Sequence, residues 1–192
     1  MLYVTKHLYD TLEVKQSKFI AHLFPYSDFE KILAELKQQH PKARHFVTAY
    51  RYLNEFGQIV EGSSDDGEPR GTSGKPTLMV LQGKELVEVG VVTVRYFGGT
   101  KLGTGGLVRA YGDALNLVLQ KAELKEYKKE AVATVMVAYD ELRRVEYELQ
   151  KAKITITHKE FMENVKLELK APKELLEEVL STLNGVTHIP HR

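Results

Sequence analysis

The sequence predicts an α+β protein with two domains, at residues 1–126 and 127–192, and two observations support this prediction. From residue 131 onward the apolar pattern gives the order β-α-β-β-α-β, which is typical of a ferredoxin-like domain. Ahead of it, Glu123–Lys129 is charged and requires no buried contacts, as expected of a linker. With 192 residues and a 43% apolar composition, the chain is long enough for one large core or two small ones.

The first domain begins with a predicted strand and a predicted helix. Ser17–Phe24 is rich in apolar residues and is bounded by a proline, so it predicts a strand. Ser27 is followed three residues later by Glu30, which is the pattern of a capping box and predicts the start of a helix. Apolar residues then recur at helical spacing, and the helix is expected to end near His40–Pro41.

The rest of the first domain combines strands, a loop and two helices. His45–Leu53 is β-branched and aromatic and predicts a second strand, whereas the polar segment Asn54–Gly71 predicts a long loop. Thr72–Gln82 predicts a helix with a proline in its first turn. Leu86–Phe97 predicts an apolar strand, and Leu107–Ala122 carries the apolar stripe of a helix.

The second domain has six predicted elements, recognised by apolar residues that recur with period 2 in strands and about 3.6 in helices. The predicted strands are Ala131–Ala138, Ile154–His158, Val165–Leu169 and Val186–Ile189. The predicted helices are Asp140–Lys151 and Pro172–Asn184. Two helices of this size are enough to cover one face of a four-stranded sheet.

Composition excludes several classes of site. The chain has no cysteine, which excludes disulfides, thiolate nucleophiles and cysteine-based zinc sites. No apolar stretch is long enough for a membrane span, and Met1–Asp10 lacks the apolar core of a signal peptide, so we expect a cytoplasmic protein without a membrane partner. The formal net charge of +1 is too small for a generic binder of duplex DNA.

A glycine-rich segment, Gly98–Gly106, lies between the strand that ends at Phe97 and the following helix. The surrounding stretch 89–112 contains seven glycines and no acidic residue. Unpaired backbone N–H groups, a helix N-terminus and nearby cations together favour binding of a phosphate or another anion. The predicted phosphate or nucleic-acid ligands are Arg95, Gly98, Gly99, Lys101, Gly103, Gly105, Gly106 and Arg109.

That segment has a second interpretation. It matches neither the Walker A pattern nor the dinucleotide fingerprint, so the glycines could serve only to shape a tight connection between strand and helix. In that case Arg109 would pair with Asp113 one helical turn further on.

The second unusual segment is the acidic loop, Ser63–Pro76. Its three carboxylates, Asp65, Asp66 and Glu68, could hold Mg²⁺ or serve as general acid and base. Alternatively, they belong to a solvated loop and pair with cations. Further candidate site partners are His45, Arg70 and Lys75. Because the two segments have opposite charge, we expect the acidic loop to fold over the glycine-rich segment and form one site with it.

These segments together resemble the YigZ/IMPACT family. The matching residues are Lys18-Phe19-Ile20, His45, Ala49-Tyr50-Arg51, Asp65–Pro69, Gly74-Lys75-Pro76, Arg95–Gly99, Lys101-Leu102-Gly103 and Gly105–Tyr111. Two positions depart from the family pattern: Ser73 stands where alanine is expected, and Phe46-Val47-Thr48 replaces an Asn-Cys-Tyr type of run.

The resemblance implies a fold and a function. The first domain is expected to have the second-domain fold of a small-subunit ribosomal protein, and the second to resemble the last domain of elongation factor G. Eukaryotic relatives regulate translation by competing for a protein that activates a stress kinase. We therefore expect a binding protein of translation control or stress response, without a required cofactor, that contacts RNA, the ribosome or a translation factor.

The alternative is an enzyme that acts on a small phosphorylated ligand or nucleotide. The glycine-rich segment would then cradle the phosphates, as in small-molecule kinases that share the fold of the first domain. The acidic loop would hold Mg²⁺. The two hypotheses differ in the size of the ligand.

Overall fold

The structure is a computed structural model, and it describes residues 1–189. The chain divides into two compact units, Met1–Tyr127 and a second unit that starts at Lys128. The described residues form three antiparallel sheets and five α-helices, which confirms the predicted α+β class. Among these residues, no helix is both long enough and apolar enough to cross a membrane.

The first unit contains a five-stranded sheet, a short two-stranded sheet and three α-helices. Its strands are β1 (Leu2–Tyr3), β2 (Leu8–Val14), β3 (Ser17–Pro25), β4 (His45–Leu53), β5 (Ile59–Ser64), β6 (Val89–Tyr96) and β7 (Lys125–Glu126). Its helices are α1 (Phe29–Gln39), α2 (Gly74–Gly83) and α3 (Gly103–Lys121).

Strand β6 lies at the centre of the large sheet, whose order is β2-β3-β6-β4-β5. Every residue of β6 up to Arg95 is buried, because helices cover both faces of the sheet. Helix α1 packs Ile32 and Leu36 against one face. Helices α2 and α3 pack Leu81 and Tyr111 against the other. A strand buried on both faces reads as a continuous apolar run, which is why β6 was recognisable in the sequence.

The sequence did not indicate the two edge strands of this sheet. Leu8–Val14 was not predicted, and Ile59–Ser64 falls within the predicted loop Asn54–Gly71, so that prediction is wrong in the middle of the segment. Both strands alternate half-buried with exposed residues and include polar ones, as edge strands do. Asn54 closes the turn before β5, where its Oδ1 accepts hydrogen bonds from the N–H groups of Phe56 and Gln58.

All three helix starts of the first unit differ from the prediction. Ser27 lies in a 3-10 helix, Tyr26–Asp28, and makes no capping hydrogen bond, so the predicted capping box does not form. Helix α2 begins at Gly74, two residues later than predicted, because Ser73 has a non-helical backbone. Helix α3 begins at Gly103, four residues earlier than predicted, since its first turn accepts glycines.

The second unit has the predicted order of elements, β8 (Glu130–Val137), α4 (Leu142–Lys151), β9 (Thr155–Phe161), β10 (Val165–Pro172), α5 (Lys173–Thr182) and β11 (Val186–Ile189). The antiparallel sheet has the order β11-β8-β10-β9. Val165, Leu167 and Leu169 of β10 point to a core that both helices share, through residues such as Val145 and Leu176. This unit therefore has a core of its own.

Candidate anion-binding site

The candidate residues of the first unit meet at one end of the five-stranded sheet. Strand β6 ends and β4 begins at this end, because Arg95 lies opposite His45 in the antiparallel register. Helix α2 begins here too, since Gly74 packs closely against Ser64, the last residue of β5. Helix α3 starts a short turn after β6, at Gly103. The N-termini of α2 and α3 and the acidic loop therefore lie at the same end of the sheet.

Asp65 stabilises the start of α2. Its carboxylate accepts hydrogen bonds from the N–H groups of Gly71 at 2.7 Å, Ser73 at 3.1 Å and Gly74 at 2.8 Å, and from the Ser73 hydroxyl at 2.7 Å. Burial alone would raise the pKa of Asp65, but these hydrogen bonds outweigh it and hold that pKa below its ordinary value. The Asp65 carboxylate thus joins the beginning of the acidic loop to its end at the start of α2.

Glu68 links the acidic loop to the rest of the unit. Its buried carboxylate forms an ion pair with Arg95 of β6 and accepts a hydrogen bond from the Tyr111 hydroxyl of α3 at 2.8 Å. The side chains of Glu68 and Arg95 are only 4% and 7% exposed. Burial, followed by the neighbouring Glu68 carboxylate, raises the pKa of Tyr111, so its hydroxyl remains a donor.

His45 and Asp66 attach the same loop to β4. The N–H of Phe46 donates to a carboxylate oxygen of Asp66 at 2.6 Å, and His45 Nδ1 lies 2.8 Å from the Asp66 carbonyl oxygen. Because a carbonyl oxygen only accepts, His45 Nδ1 must carry the proton.

The acidic residues are thus held by protein donors on four different elements. Asp65 binds the start of α2, Asp66 binds β4, and Glu68 binds β6 and α3. Within residues 1–189, no group of three or more histidine, aspartate or glutamate side chains is arranged to hold a metal ion. The geometry gives no support to a Mg²⁺ site at these three carboxylates.

Arg95 differs from the other predicted phosphate ligands, because it is buried and paired with Glu68. The exposed cations are Lys101, Arg109, Arg70 and Lys75. None of these four side chains makes an ion pair with another residue of the described range 1–189. In particular, the ion pair between Arg109 and Asp113, which the second interpretation of the glycine-rich segment required, does not form. Four uncompensated cations remain for an external anion.

The glycines of the glycine-rich segment have different structural roles. Gly98 donates its N–H to the Ser17 hydroxyl at 3.1 Å, and a Cβ on it would overlap the backbone of Gln16. In contrast, a Cβ on Gly105 would meet only Arg109 Nη1, at 3.9 Å. The remaining members are Gly99 and Gly103, both exposed with positive φ, and the half-buried Gly106. The fold requires glycine at 98 but not at 105.

Two aromatic residues of the site, Phe19 and Phe97, were not among its predicted members. The Arg95 guanidinium carbon lies 5.2 Å from the ring centre of Phe19 and 5.8 Å from that of Phe97. Phe19 is opposite Arg95 in the register of β3 and β6, and Phe97 follows Arg95 by two residues. Because successive side chains of a strand point to opposite faces of the sheet, the sequence could have predicted that Phe97 lies on the same face as Arg95.

Comparison with known proteins identifies the family. A model of the Impact N-terminal domain matches residues 15–119, more than half of the chain, and a model described only as a domain of unknown function matches residues 135–188. The chain belongs to the IMPACT family. The resemblance drawn from the sequence is therefore confirmed.

Bacterial IMPACT family members match most of the chain. A Haemophilus influenzae member is 38% identical over 174 residues, which are 89% of this chain and 84% of that protein. The member YigZ of Escherichia coli is 37% identical over 137 residues, 70% of this chain and 67% of YigZ. A crystal structure described as that of a hypothetical protein is 29% identical, covers 100% of this chain and 97% of its own, and has a TM-score of 0.69.

Proposed function

We propose that this IMPACT family protein is a cytoplasmic binding protein of translation control that contacts RNA phosphates at the end of the sheet where α3 begins. The observation that carries the proposal is the pair of exposed cations, Lys101 and Arg109, which flank the first turn of α3 and have no ion-pair partner among residues 1–189. The resemblance to eukaryotic translation regulators supports the biological setting.

The start of α3 supports phosphate binding. The helix has 19 residues, its first turn contains no acidic residue, and no side chain caps it. The first N–H groups of a helix have no partner within the helix, and its dipole favours negative charge there. A phosphate would receive hydrogen bonds from these groups and attraction from Lys101 and Arg109.

Gly105 adds a second argument. A glycine inside a helix costs up to about 1 kcal/mol relative to alanine. The surrounding residues do not require it, since a Cβ at this position would have ample space. A glycine that the fold does not need, in an exposed first turn, leaves room for close approach of a phosphate backbone.

The proposal includes a fold for each domain. Residues 1–126 would have the second-domain fold of a small-subunit ribosomal protein, and residues 127–192 a ferredoxin-like fold similar to the last domain of elongation factor G. The sheet order β11-β8-β10-β9 and two helices that share one core support the second assignment. Both folds occur in proteins that contact RNA, which agrees with RNA or the ribosome as partner.

The geometry favours a binding protein over the alternative enzyme. An enzyme acting on a phosphorylated ligand would need carboxylates available for Mg²⁺ or for proton transfer. The carboxylates of Asp65 and Glu68 already accept hydrogen bonds from Ser73, Gly74, Arg95 and Tyr111. Their arrangement fits structural support of the loop.

The double variant Lys101→Ala/Arg109→Ala tests the proposal. Its affinity for a single-stranded RNA of about 12 nucleotides, measured by fluorescence anisotropy, is expected to fall about tenfold or more, because two phosphate contacts are lost. The melting temperature is expected to stay close to that of the wild type, since both side chains are exposed.

A matched control removes the same charge elsewhere. Lys31 and Lys37 are exposed on α1, which packs on the opposite face of the sheet from α3. The variant Lys31→Ala/Lys37→Ala is expected to bind RNA like the wild type. Equal loss of affinity in both double variants would show that only net charge matters, and no loss in either would remove the proposed site.

A further inference from the structure

Phe97 is the most exposed of three planar side chains that lie together at the candidate site. The guanidinium carbon of Arg95 lies over the ring of Phe19, 5.2 Å from the ring centre, and over the ring of Phe97, 5.8 Å from the ring centre. Phe19 is fully buried, Arg95 is nearly so, and Phe97 is 46% exposed. These three side chains therefore extend from the core to the surface, and the outermost is an aromatic ring that contacts solvent.

The two buried members of this group, Phe19 and Arg95, are held on several sides. Arg95 pairs with Glu68, whose carboxylate also accepts the hydrogen bond of Tyr111. The ring of Tyr111 meets that of Phe19 edge to face, at 5.1 Å between centres. Because these groups are buried and interlocked, the cation that backs Phe97 has a fixed position.

Phe97 is also next to the proposed phosphate site. It directly precedes Gly98, and Lys101 lies four residues further along the chain. An exposed aromatic ring beside cations is the combination that single-stranded nucleic acids require, since bases stack on the ring while phosphates meet the cations. In a duplex the bases are already stacked on one another and are not available to a side chain.

We infer that Phe97 is a stacking platform for an unpaired base, so that the ligand of this site is single-stranded RNA. This inference rests on the proposed function, and it adds the class of RNA and the residue that selects it. The Arg95 guanidinium on the inner side strengthens the platform, because it keeps the ring in place and polarises it. The outer side of the ring receives the base.

The variant Phe97→Leu tests this inference with two ligands. Leucine keeps an apolar cover over Arg95 but removes the flat ring. Affinity for single-stranded RNA is expected to fall about tenfold, the effect of losing one stacked base. Affinity for inorganic polyphosphate, which has charge but no bases, is expected to remain at the wild-type value.

Two further variants complete the test. Phe97→Tyr keeps the ring and is expected to bind single-stranded RNA like the wild type, which separates stacking from a defect in folding. Phe56→Leu changes another exposed phenylalanine, which is 75% exposed in the turn before β5, and is expected to have no effect.

The outcomes separate the inference from the proposed function. If Phe97→Leu binds single-stranded RNA as tightly as the wild type, or if the wild type prefers duplex RNA, the stacking platform is wrong although the phosphate site stands. If the wild type binds neither RNA nor polyphosphate, the proposed function fails and the inference fails with it.

Discussion

Glu68 holds the acidic loop in place through a buried ion pair. The attraction between Glu68 and Arg95 has to offset the cost of removing both charges from water. Replacing one partner of such a pair leaves the other buried without compensation, which is more costly than losing an ordinary hydrogen bond. The Tyr111 hydroxyl, which donates to the same carboxylate, contributes a charge-assisted hydrogen bond.

We predict that Glu68→Gln lowers the free energy of unfolding by about 3–5 kcal/mol. Tyr111→Phe removes only the hydroxyl and is expected to cost about 1.5–3 kcal/mol, the range for a hydrogen bond to a charged group. Urea denaturation measures both values. Glu30→Gln, on the exposed surface of α1, is the matched control and is expected to change little. A Glu68→Gln variant no less stable than this control would mean that the ion pair does not support the fold.

A second buried polar group lies on the other face of the sheet, where His22 Nδ1 is 2.9 Å from His7 Nε2. Burial, followed by the neighbouring His7 and His40, lowers the pKa of His22 to about 4. Burial also lowers the pKa of His7, against the opposing influence of Glu35 and Asp28. Both imidazoles are therefore neutral near pH 7.

This pair predicts a loss of stability at acidic pH. In the unfolded chain His22 has its ordinary pKa of about 6.5, so as the pH falls the unfolded state takes up the proton first. The stability that neutral His22 contributes is complete above pH 6.5 and is lost as the pH falls toward about 4. The variant His22→Phe keeps an aromatic ring and should show a shallower decline of the unfolding free energy over this range.

Unfolding measured at several pH values tests the prediction, and the difference between wild type and variant removes the effect of other groups. His158→Gln, an exposed position of the second unit, is the control and should retain the wild-type profile. Parallel profiles for wild type and His22→Phe would show that this histidine is not responsible.

In the glycine-rich segment, different glycines serve the fold and the proposed phosphate site. Gly98 packs against the turn between β2 and β3, and its N–H is bonded to Ser17. Gly105 lies in the first turn of α3 with open space around it. The first glycine supports the fold, and the second leaves the helix start accessible.

We predict opposite effects on stability for alanine at these two positions. Gly98→Ala would force the hairpin turn at Gln16 to move and should destabilise the first unit. Gly105→Ala should stabilise α3 by up to about 1 kcal/mol and at the same time weaken RNA binding. Thermal unfolding and fluorescence anisotropy measure the two effects. A Gly105→Ala variant with unchanged affinity would show that this glycine has no role in the site.

Elements with a strong local pattern could be predicted from the sequence, and those defined by tertiary contacts could not. The apolar run of β6 and the buried stripe of α3 were recognisable because burial dictates their residues. Edge strands β2 and β5 carry polar residues on exposed positions, so their pattern resembles that of a loop. The false capping box at Ser27 shows that a short motif does not determine a helix start.

The same distinction holds for the candidate site. The sequence identified the acidic loop and the exposed cations Lys101 and Arg109 because both are unusual in composition. It could not show that Glu68 and Arg95 neutralise each other, since they are 27 residues apart and the pairing depends on how the sheet is assembled. For the same reason, the sequence identified Phe97 as the end of a strand and as part of the family match, but not as a member of the site.

At the scale of the whole molecule, each unit has its own core, and the relatives share both parts of the chain. The family models match residues 15–119 and 135–188, on either side of the unit boundary after Tyr127. The net charge is only +1, so general attraction to RNA is weak. The proposed RNA binding therefore depends on the local group of exposed cations in the first unit.

The salt dependence of RNA binding tests this central claim most directly. The logarithm of the binding constant for single-stranded RNA is expected to fall linearly with the logarithm of the salt concentration, by about 0.7 for each phosphate contacted. The slope of Lys101→Ala/Arg109→Ala should be shallower than that of the wild type by about 1.4, whereas Lys31→Ala/Lys37→Ala should keep the wild-type slope. Salt-independent binding, or identical slopes for all three proteins, would contradict phosphate binding at the start of α3.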